Sequence, residues 1–312
     1  MRRPKRQQSD QKQMKASAQP IDDAQTMERS LSGVICDLIK LRLTALVLAT
    51  TLVGFYLAAP KPLQLGLLLS AMLGTFLLAS GVAALNQLLE AQFDSKMLRT
   101  ESRPLPSGRL HPDVALIFGG ACSAAGLILL ALRVNLVTSL LGALTLASYL
   151  FVYTPLKRKT TLNTLIGAIP GALPPLMGWT AATGAIEIGG WSLFAILFFW
   201  QLPHFLAIAW LYRDDYARAG FVMLPVVDQE GKRTGRSSVS HTLGLLPISL
   251  FPFLLGISGR IYVVGALILG LFFLSRAIRF SRELTHENAR RLFFASIIYL
   301  PLLLALMAFD KV

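Results

Sequence analysis

Cysteine and charge are both scarce in this 312-residue chain, and each scarcity excludes a class of protein. The two cysteines, Cys36 and Cys122, lie far apart and form no C-x-x-C pair, which argues against iron–sulfur, structural zinc and disulfide-scaffold proteins. Charged residues make up only 15% of the chain and hydrophobic residues 54%, with a mean hydropathy of +0.57. That balance is too apolar for a soluble domain and predicts an all-α protein that crosses a membrane several times.

Nine apolar runs are long enough to cross a bilayer, for which a helix needs about 20 residues. They lie near residues 38–59, 63–89, 112–132, 135–153, 161–183, 191–211, 237–257, 260–279 and 289–308. Because a backbone in lipid must satisfy its own hydrogen bonds, we expect each run to be a helix. The sequence therefore predicts a polytopic membrane protein with nine transmembrane helices.

The distribution of positive charge supports this count. If the nine spans alternate in direction, 26 of the 30 Lys and Arg residues fall on one side, and the other side holds Lys61, Arg133, Arg260 and Lys311. The positive-inside rule then predicts a cytoplasmic N-terminus and a periplasmic C-terminus. The same bias accounts for the net charge of +13. Since no nucleic-acid-binding motif is present, we expect membrane lipid but no nucleic acid as a partner.

The first 33 residues differ in composition from the rest of the chain. They are polar and lack an apolar period, which predicts a disordered cytoplasmic tail over residues 1–33. Residues 34–312 then form a single nine-helix domain. The acidic residues Asp10, Asp22 and Asp23 argue against a mitochondrial transit peptide and favour a bacterial inner membrane.

The second span ends in a polar face. Asn86, Glu90 and Asp94 follow one another at intervals of four residues, so on a helix they lie on one face, on successive turns. Carboxylates at the end of a membrane helix are costly unless they bind a partner, which predicts a functional site. Magnesium is commonly bound by one or two carboxylates together with the phosphates of a substrate. The alternative is a helix end held by ion pairs alone.

Basic segments accompany this face. The loop that follows it contains Lys96, Arg99, Arg103 and Arg109. Because Arg and Lys side chains bind phosphate oxygens, an acidic face beside a basic loop predicts a site for a metal-bound polyphosphate. A second basic segment, Lys157, Arg158 and Lys159, ends the fourth span on the same side, where the positive-inside bias explains it equally well.

The fifth and sixth spans carry further signals. The fifth is interrupted by Gly167, Pro170, Gly171, Pro174, Pro175 and Gly178. Such a helix is typical of a cavity wall, with a simple kink as the alternative. A second polar cluster is predicted near the end of the sixth span, from His204, Arg213, Asp214 and Asp215. Two interpretations of His204 remain, a role in packing and a role in the site.

Four segments in this order resemble the UbiA superfamily of intramembrane prenyltransferases, and within it the protohaem IX farnesyltransferase branch. They are residues 84–109, 153–163, 167–179 and 201–220. The second and fourth are what single out that branch. One departure is visible, because the superfamily usually has Asp-x-x-x-Asp in its second acidic motif, whereas Asp214 is followed four residues later by Arg218. Whether Asp214 or Asp215 faces the site is left open.

The resemblance implies a UbiA-type helical bundle around a central cavity. It further implies transfer of a farnesyl group from farnesyl diphosphate to a vinyl group of haem b, giving haem O and pyrophosphate, with Mg2+ as cofactor and haem b as a substrate. It assigns metal binding and catalysis to Asn86, Glu90 and Asp94. Diphosphate binding is assigned to Lys96, Arg99, Arg103, Lys157 and Arg158. A downstream haem A synthase or a terminal oxidase is a candidate partner.

Three other functions compete with this interpretation. A UbiA-type enzyme with a quinone precursor or a chlorophyll-type ring as acceptor would share the metal and the diphosphate. A membrane transporter would also have broken helices and polar groups, but no inverted repeat is evident and the acids cluster at helix ends. An assembly protein for an oxidase would show no dependence on metal.

Overall fold

The computed structural model describes residues 31–312, and over that range the chain is a helical bundle. The helices are α1 (Leu31–Leu38), α2 (Leu41–Ala58), α3 (Leu65–Asp94), α4 (Pro112–Arg133), α5 (Leu136–Ala147), α6 (Asn163–Thr183), α7 (Ile188–Leu211), α8 (Arg213–Arg218), α9 (Leu224–Val227), α10 (Lys232–Ile248), α11 (Phe251–Leu254), α12 (Arg260–Arg282) and α13 (His286–Phe309). Helix α5 continues through a π-helical segment, Ser148–Tyr153, and a last turn, Thr154–Leu156.

The predicted number of spans is confirmed. Within residues 31–312, nine helices are long and apolar enough to cross a membrane, the fourth and seventh being the composite spans Leu136–Leu156 and Lys232–Leu254. The boundaries differ most at the polar ends, where α3 extends to Asp94 and α10 begins at Lys232. The reason is physical: hydropathy marks only the lipid-facing part of a helix, whereas backbone hydrogen bonding continues through polar residues beyond it.

The predicted N-terminal tail falls almost entirely outside the described residues. Where the two overlap, the structure begins helix α1 at Leu31, earlier than the predicted domain boundary at residue 34. Apolar residues explain this start, because Val34 and Leu38 are buried on one face of the short helix.

Alternate helix ends meet on the same side of the bundle, as the charge count requires. The Lys40 side chain, just before α2, reaches Asn86 on α3. The Lys157 carbonyl, after the fourth span, accepts a hydrogen bond of 2.7 Å from the Val222 amide, after the sixth. At the opposite end, the Lys311 ammonium donates to carbonyls at the end of α2. The cytoplasmic-type loops predicted from charge are therefore neighbours in space.

Helix α6 lies at the centre of the bundle. Of its most apolar window, 72% is buried, against 28% for α12. It packs against α2 at very short range, because a Cβ on Gly178 would lie 2.0 Å from the Thr51 carbonyl oxygen and one on Gly54 would lie 2.1 Å from that of Pro175. Small residues permit this approach of two backbones, which is a common way to pack membrane helices.

Helix α3, which carries the polar face, is held against α4 in the same manner. A Cβ on Gly81 would lie 2.3 Å from the Ser123 hydroxyl oxygen, and one on Gly126 would lie 2.6 Å from the Leu78 amide nitrogen. These contacts fix the rotation of α3 about its axis. The orientation of the face that carries Asn86 and Glu90 follows from that rotation.

The α2–α6 contact generates a prediction about stability. We expect Gly178→Ala to lower the midpoint of thermal unfolding in detergent, because overpacking of this kind costs about 1–3 kcal/mol. The matched control is Gly120→Ala on α4, where an added Cβ meets no atom within 4 Å. Since alanine is the better helix former, the control is expected to unfold at or slightly above the wild-type temperature. Equal midpoints for Gly178→Ala and wild type would contradict the close approach.

Candidate active site

The three residues of the predicted polar face are buried together at the end of α3. The solvent-exposed fraction of the residue is 0% for Asn86, 5% for Glu90 and 1% for Asp94. Carboxylates are almost never buried this deeply unless they are paired. The partners of these three side chains therefore define the site.

Glu90 is paired with a lysine from another part of the chain. The Lys157 ammonium donates to the Glu90 Oε1 at 2.6 Å, and both side chains are largely buried. The same ammonium lies 4.5 Å from the centre of the Tyr153 ring, one turn earlier. Burial alone would lower the pKa of Lys157, but the Glu90 carboxylate outweighs burial and raises that pKa above its ordinary value. Lys157 is thus a fixed cation.

Asp94 is paired with an arginine from the loop that follows α3. The Arg103 guanidinium donates to the Asp94 Oδ2 at 2.6 Å. The loop turns back on itself because the Thr100 hydroxyl donates to the Asp94 carbonyl at 2.8 Å. Arg103 therefore lies beside the acidic face, as predicted.

Asn86 contacts a lysine that sequence analysis assigned no role. The Lys40 ammonium donates to the Asn86 Oδ1 at 2.6 Å, while the Asn86 amide donates to the Thr154 hydroxyl at 3.3 Å. Lys40 joins α1 to α2 and has a φ of 49°, a left-handed conformation that is uncommon for a residue with a side chain. The neighbouring Gln87 supports this junction, because its amide donates to the carbonyls that end α1, at 2.7 and 2.9 Å.

The second acidic motif contributes one aspartate to the site. Asp215 is buried, accepts a hydrogen bond from the Arg99 amide at 3.4 Å and pairs with Arg218. The Arg99 guanidinium donates to the Tyr216 hydroxyl at 3.1 Å. Arg99 therefore joins the loop after α3 to helix α8, and Asp215 is the aspartate of the pair that contacts this loop.

Two members of the predicted second cluster lie outside it. The Asp214 side chain is 89% exposed, and its nearest cation is Arg213 at 3.8 Å. The Arg213 guanidinium lies over the Trp210 ring, 5.0 Å from its centre. The reason is helical periodicity, since adjacent residues at the start of α8 point in different directions and only Asp215 contacts the loop that follows α3.

Two of the predicted phosphate-binding cations are exposed around the rim of the site. The Arg158 guanidinium lies 4.5 Å from the centre of the Phe93 ring, and the Lys96 ammonium lies 5.8 Å from it. Neither forms an ion pair within residues 31–312. Both contact the Phe93 ring rather than the acidic face.

Positive charge exceeds negative charge at this end of the bundle. The cations are Lys40, Arg99, Arg103, Lys157, Arg158 and Arg218, and the carboxylates are Glu90, Asp94 and Asp215. Burial, and after it the charge of Arg103, lower the pKa of Lys40 to about 7. An anionic ligand would relieve this repulsion, which is the electrostatic signature of an anion site.

An apolar cavity of about 300 Å³ adjoins the charged end. Lys40, Tyr149 and Tyr153 line it on that side. Its walls are mostly apolar, and they include Leu78, Val82, Met177, Leu197, Trp200 and Leu300. Pro170, Gly171 and Pro174 of the interrupted helix α6 line the cavity as well, which confirms that prediction.

His204 lies in the wall of this cavity and not with the second acidic motif. Its ring contacts Trp200 and Ser296, whereas Asp215 contacts Arg99 and Arg218. The structure therefore gives His204 and Asp215 separate sets of partners. His204 occupies the interior of α7 and Asp215 the separate helix α8, so the two side chains serve different parts of the bundle.

The oxygen atoms of the acidic face have the chemistry that Mg2+ prefers. Asn86, Glu90 and Asp94 supply amide and carboxylate oxygens, which are hard ligands. Within residues 31–312, no three His, Cys, Asp or Glu side chains cluster as a complete metal site. A magnesium ion typically takes only one or two carboxylates from the protein and the rest from substrate and water, so this donor set fits it.

Sequence reasoning missed several residues of the site. Lys40, Tyr149, Tyr153 and Gln201 all line the cavity, and the sequence analysis assigns none of them a role. The position of Tyr153 one turn before Lys157 was a usable signal, because residues four apart share a helix face. Lys40 had no such signal, since it meets α3 through a junction that only the folded chain forms.

Comparisons of the sequence with known proteins identify a family and several relatives. The family model "UbiA prenyltransferase family" matches residues 47–298. A protein named protoheme IX farnesyltransferase from Solibacter usitatus is 51% identical over 284 residues, which cover 88% of this chain and 97% of that protein. The human protein named protoheme IX farnesyltransferase, mitochondrial, is 41% identical, over 89% of this chain and 62% of that protein.

Solved structures share the fold at low sequence identity. A structure of digeranylgeranylglyceryl phosphate synthase has a TM-score of 0.76 at 17% identity and covers 89% of this chain and 97% of its own. A UbiA homologue from Archaeoglobus fulgidus, solved with DMAPP and Mg2+, has a TM-score of 0.62 at 17% identity, covering 88% and 98% of the two chains.

The buried ion pair generates a prediction. We expect Lys157→Met to lower stability by about 3 kcal/mol, because it leaves the Glu90 carboxylate buried without its partner. The double variant Lys157→Met/Glu90→Gln removes both charges and is expected to recover much of that loss. Thermal unfolding in detergent measures both effects. A single variant as stable as wild type, or a double variant less stable than the single, would contradict the pairing.

Proposed function

This chain belongs to the UbiA prenyltransferase family, and from that membership we propose that it transfers a farnesyl group from farnesyl diphosphate to a vinyl group of haem b, giving haem O and pyrophosphate. The observation that carries the proposal is the 51% identity, over nearly the full length of the Solibacter usitatus relative, to a protein named protoheme IX farnesyltransferase. The structure adds a charged site beside an apolar cavity, which suits a substrate with an anionic head and an apolar chain.

The charged end would bind the diphosphate of farnesyl diphosphate. Lys157 and Arg103 are held in place by the carboxylates of α3, so they are oriented before the substrate arrives. Lys40 adds a third cation at the mouth of the cavity. Fixed cations stabilise negative charge that develops as the bond between the farnesyl carbon and the diphosphate oxygen breaks. Arg99, Lys96 and Arg158 would meet the outer phosphate oxygens.

Magnesium would be held by Asn86, Glu90 and Asp94, with Asp215 on the facing segment. When bound, it would neutralise charge on the leaving diphosphate. The solved Archaeoglobus fulgidus homologue with DMAPP and Mg2+ supports the same pairing of ion and substrate here. The residues of this chain orient the diphosphate and release it, and Lys157 and Arg103 keep the carboxylates fixed until the ion binds.

The apolar cavity would enclose the farnesyl chain. Its walls contain few polar groups other than the tyrosines, His204, Gln201 and short hydroxyl side chains. Exclusion of water protects a carbon that carries positive charge from hydrolysis before the acceptor reacts. Tyr153 lies where the cavity meets Lys157, so its ring faces both the chain and the diphosphate.

Localisation follows the same proposal. The chain is an integral membrane protein, and we place it in a bacterial inner membrane with the charged end, and with it the N-terminus, in the cytoplasm. The bias of positive charge towards that end supports this orientation. Haem b would enter from the membrane, and haem O would leave towards an enzyme or oxidase that consumes it.

The decisive experiment is product analysis with purified full-length protein in lipid. We expect haem b, farnesyl diphosphate and Mg2+ to give a heavier, more hydrophobic haem, and a chelator or the variant Asp94→Ala to abolish it. Parallel reactions with 4-hydroxybenzoate test the quinone-precursor alternative. Prenylation of 4-hydroxybenzoate without reaction of haem b would show that the acceptor is a quinone precursor and not haem b. Flux of substrate across sealed vesicles without prenyl transfer would instead favour a transporter.

The two adjacent aspartates provide a matched pair of variants. We expect Asp215→Ala to lower kcat/KM for farnesyl diphosphate by roughly a hundredfold, because Asp215 is buried and contacts the loop that carries Arg99. Asp214→Ala should change it less than twofold, because that side chain is exposed. Steady-state kinetics on both variants provide the test, with thermal unfolding as a control for folding. Equal losses in the two variants would contradict the assignment.

A further inference from the structure

His204 is held by two aromatic side chains and one hydrogen bond. Its ring stacks between two aromatic side chains, with centroids 4.9 Å from Trp200 and 5.1 Å from Phe293 and interplanar angles of 20° and 27°. The Nδ1 atom lies 2.7 Å from the Ser296 Oγ. Stacking restricts tilting of the ring, and the hydrogen bond fixes its rotation.

The hydrogen bonds around Ser296 determine which nitrogen of His204 carries the proton. The Ser296 hydroxyl lies 2.5 Å from the Phe293 carbonyl oxygen, which can only accept. A serine hydroxyl has a single hydrogen, so it donates to that carbonyl and must accept from the histidine. The His204 Nδ1 therefore carries the proton, and in the neutral ring the Nε2 has a free lone pair.

His204 is part of the cavity wall. His204 lines the cavity wall, its ring is only partly buried, and within residues 31–312 its Nε2 contacts no hydrogen-bond partner. A histidine that donates its Nδ1 proton to the protein and presents an unprotonated Nε2 to an open space has the arrangement of a metal ligand. In such ligands the second hydrogen bond orients the ring and selects the tautomer.

Part of the cavity lining is exposed on the outside of the bundle. Leu43 and Leu46 of α2 line the cavity, yet they are 61% and 38% exposed. An opening between membrane helices with apolar edges admits a ligand that is itself dissolved in the membrane. A flat, apolar macrocycle with a central metal ion is such a ligand.

We propose that the His204 Nε2 is the axial ligand to the iron of the acceptor haem. This inference rests on the proposed function, because it takes haem b to be the acceptor. Ligation fixes the iron at the wall formed by α7 and thereby limits which edge of the macrocycle faces the charged end, where the diphosphate binds. Ser296 is the positioning residue, since it acts on the haem only through the His204 ring.

The test compares two porphyrins that differ only in the metal. Full-length protein in lipid nanodiscs is titrated with ferric haem b and, separately, with iron-free protoporphyrin IX. We expect His204→Phe, which keeps the aromatic stack with Trp200 and Phe293, to weaken haem b binding at least tenfold and leave protoporphyrin IX binding within twofold. The absorption and EPR signals of a histidine-ligated iron should be lost in the same variant. Ser296→Ala should weaken haem b binding about tenfold.

His241 is the matched control. Its Nδ1 also has a hydrogen-bond partner, in this case the backbone carbonyl of Ser237 at 2.7 Å. His241 lies on α10, however, and does not line the cavity. We expect His241→Phe to leave both affinities and the spectrum unchanged. His204→Ala with added imidazole supplies a second arm, in which the free ligand should restore the lost spectrum. This arm also shows whether a variant that binds no haem is still folded.

Several outcomes would overturn the proposal. An unchanged spectrum and an unchanged haem affinity in His204→Phe would overturn it, even if turnover fell. In that case the histidine would serve proton transfer or packing and not bind the iron. Wild-type protein that binds both porphyrins equally well would do so too. Binding of neither porphyrin by wild type would overturn the proposed acceptor itself, so that failure of the function is distinguished from failure of the ligation.

Discussion

Burial of two carboxylates at the end of a membrane helix is the constraint that the rest of this structure satisfies. A buried ion without a partner costs several kcal/mol, so Glu90 and Asp94 require cations at fixed positions. Those cations come from the loop after α3 and from the end of the fourth span, which must therefore converge. Helix α3 can supply the acids in this orientation because small residues lock its rotation against α4.

The same constraint sets a sharp boundary between charge and apolar surface. The ion-paired end of the bundle meets an apolar cavity at Lys40 and Tyr153, with little intermediate polarity. A prenyl diphosphate has the same division, since ionisation needs fixed charge at the head while the chain needs a water-free wall. Within that wall, His204 is held by a hydrogen bond to Ser296 and by stacking on Trp200 and Phe293.

Local patterns in the chain predict much of this arrangement. The four-residue spacing of Asn86, Glu90 and Asp94 places them on one face, because helical periodicity is a local property. The prolines of α6 predict a cavity wall for an equally local reason, as they remove backbone hydrogen bonds within the helix. The choice of Asp215 over Asp214 and the separation of His204 from both could not be predicted, because each depends on contacts between segments distant in sequence.

The amino-acid sequence by itself therefore determines the nine membrane spans, the side on which positive charge collects, the acidic face and the family. These properties depend on composition and on residues within a few turns of one another, where bilayer thickness and helical geometry leave few choices. Only the tertiary structure decides that Lys40 contacts Asn86, that Asp215 is buried against the loop after α3 and that Ser296 bonds to His204 in the cavity wall. Each of these depends on how separate helices are rotated and packed, which no local pattern specifies.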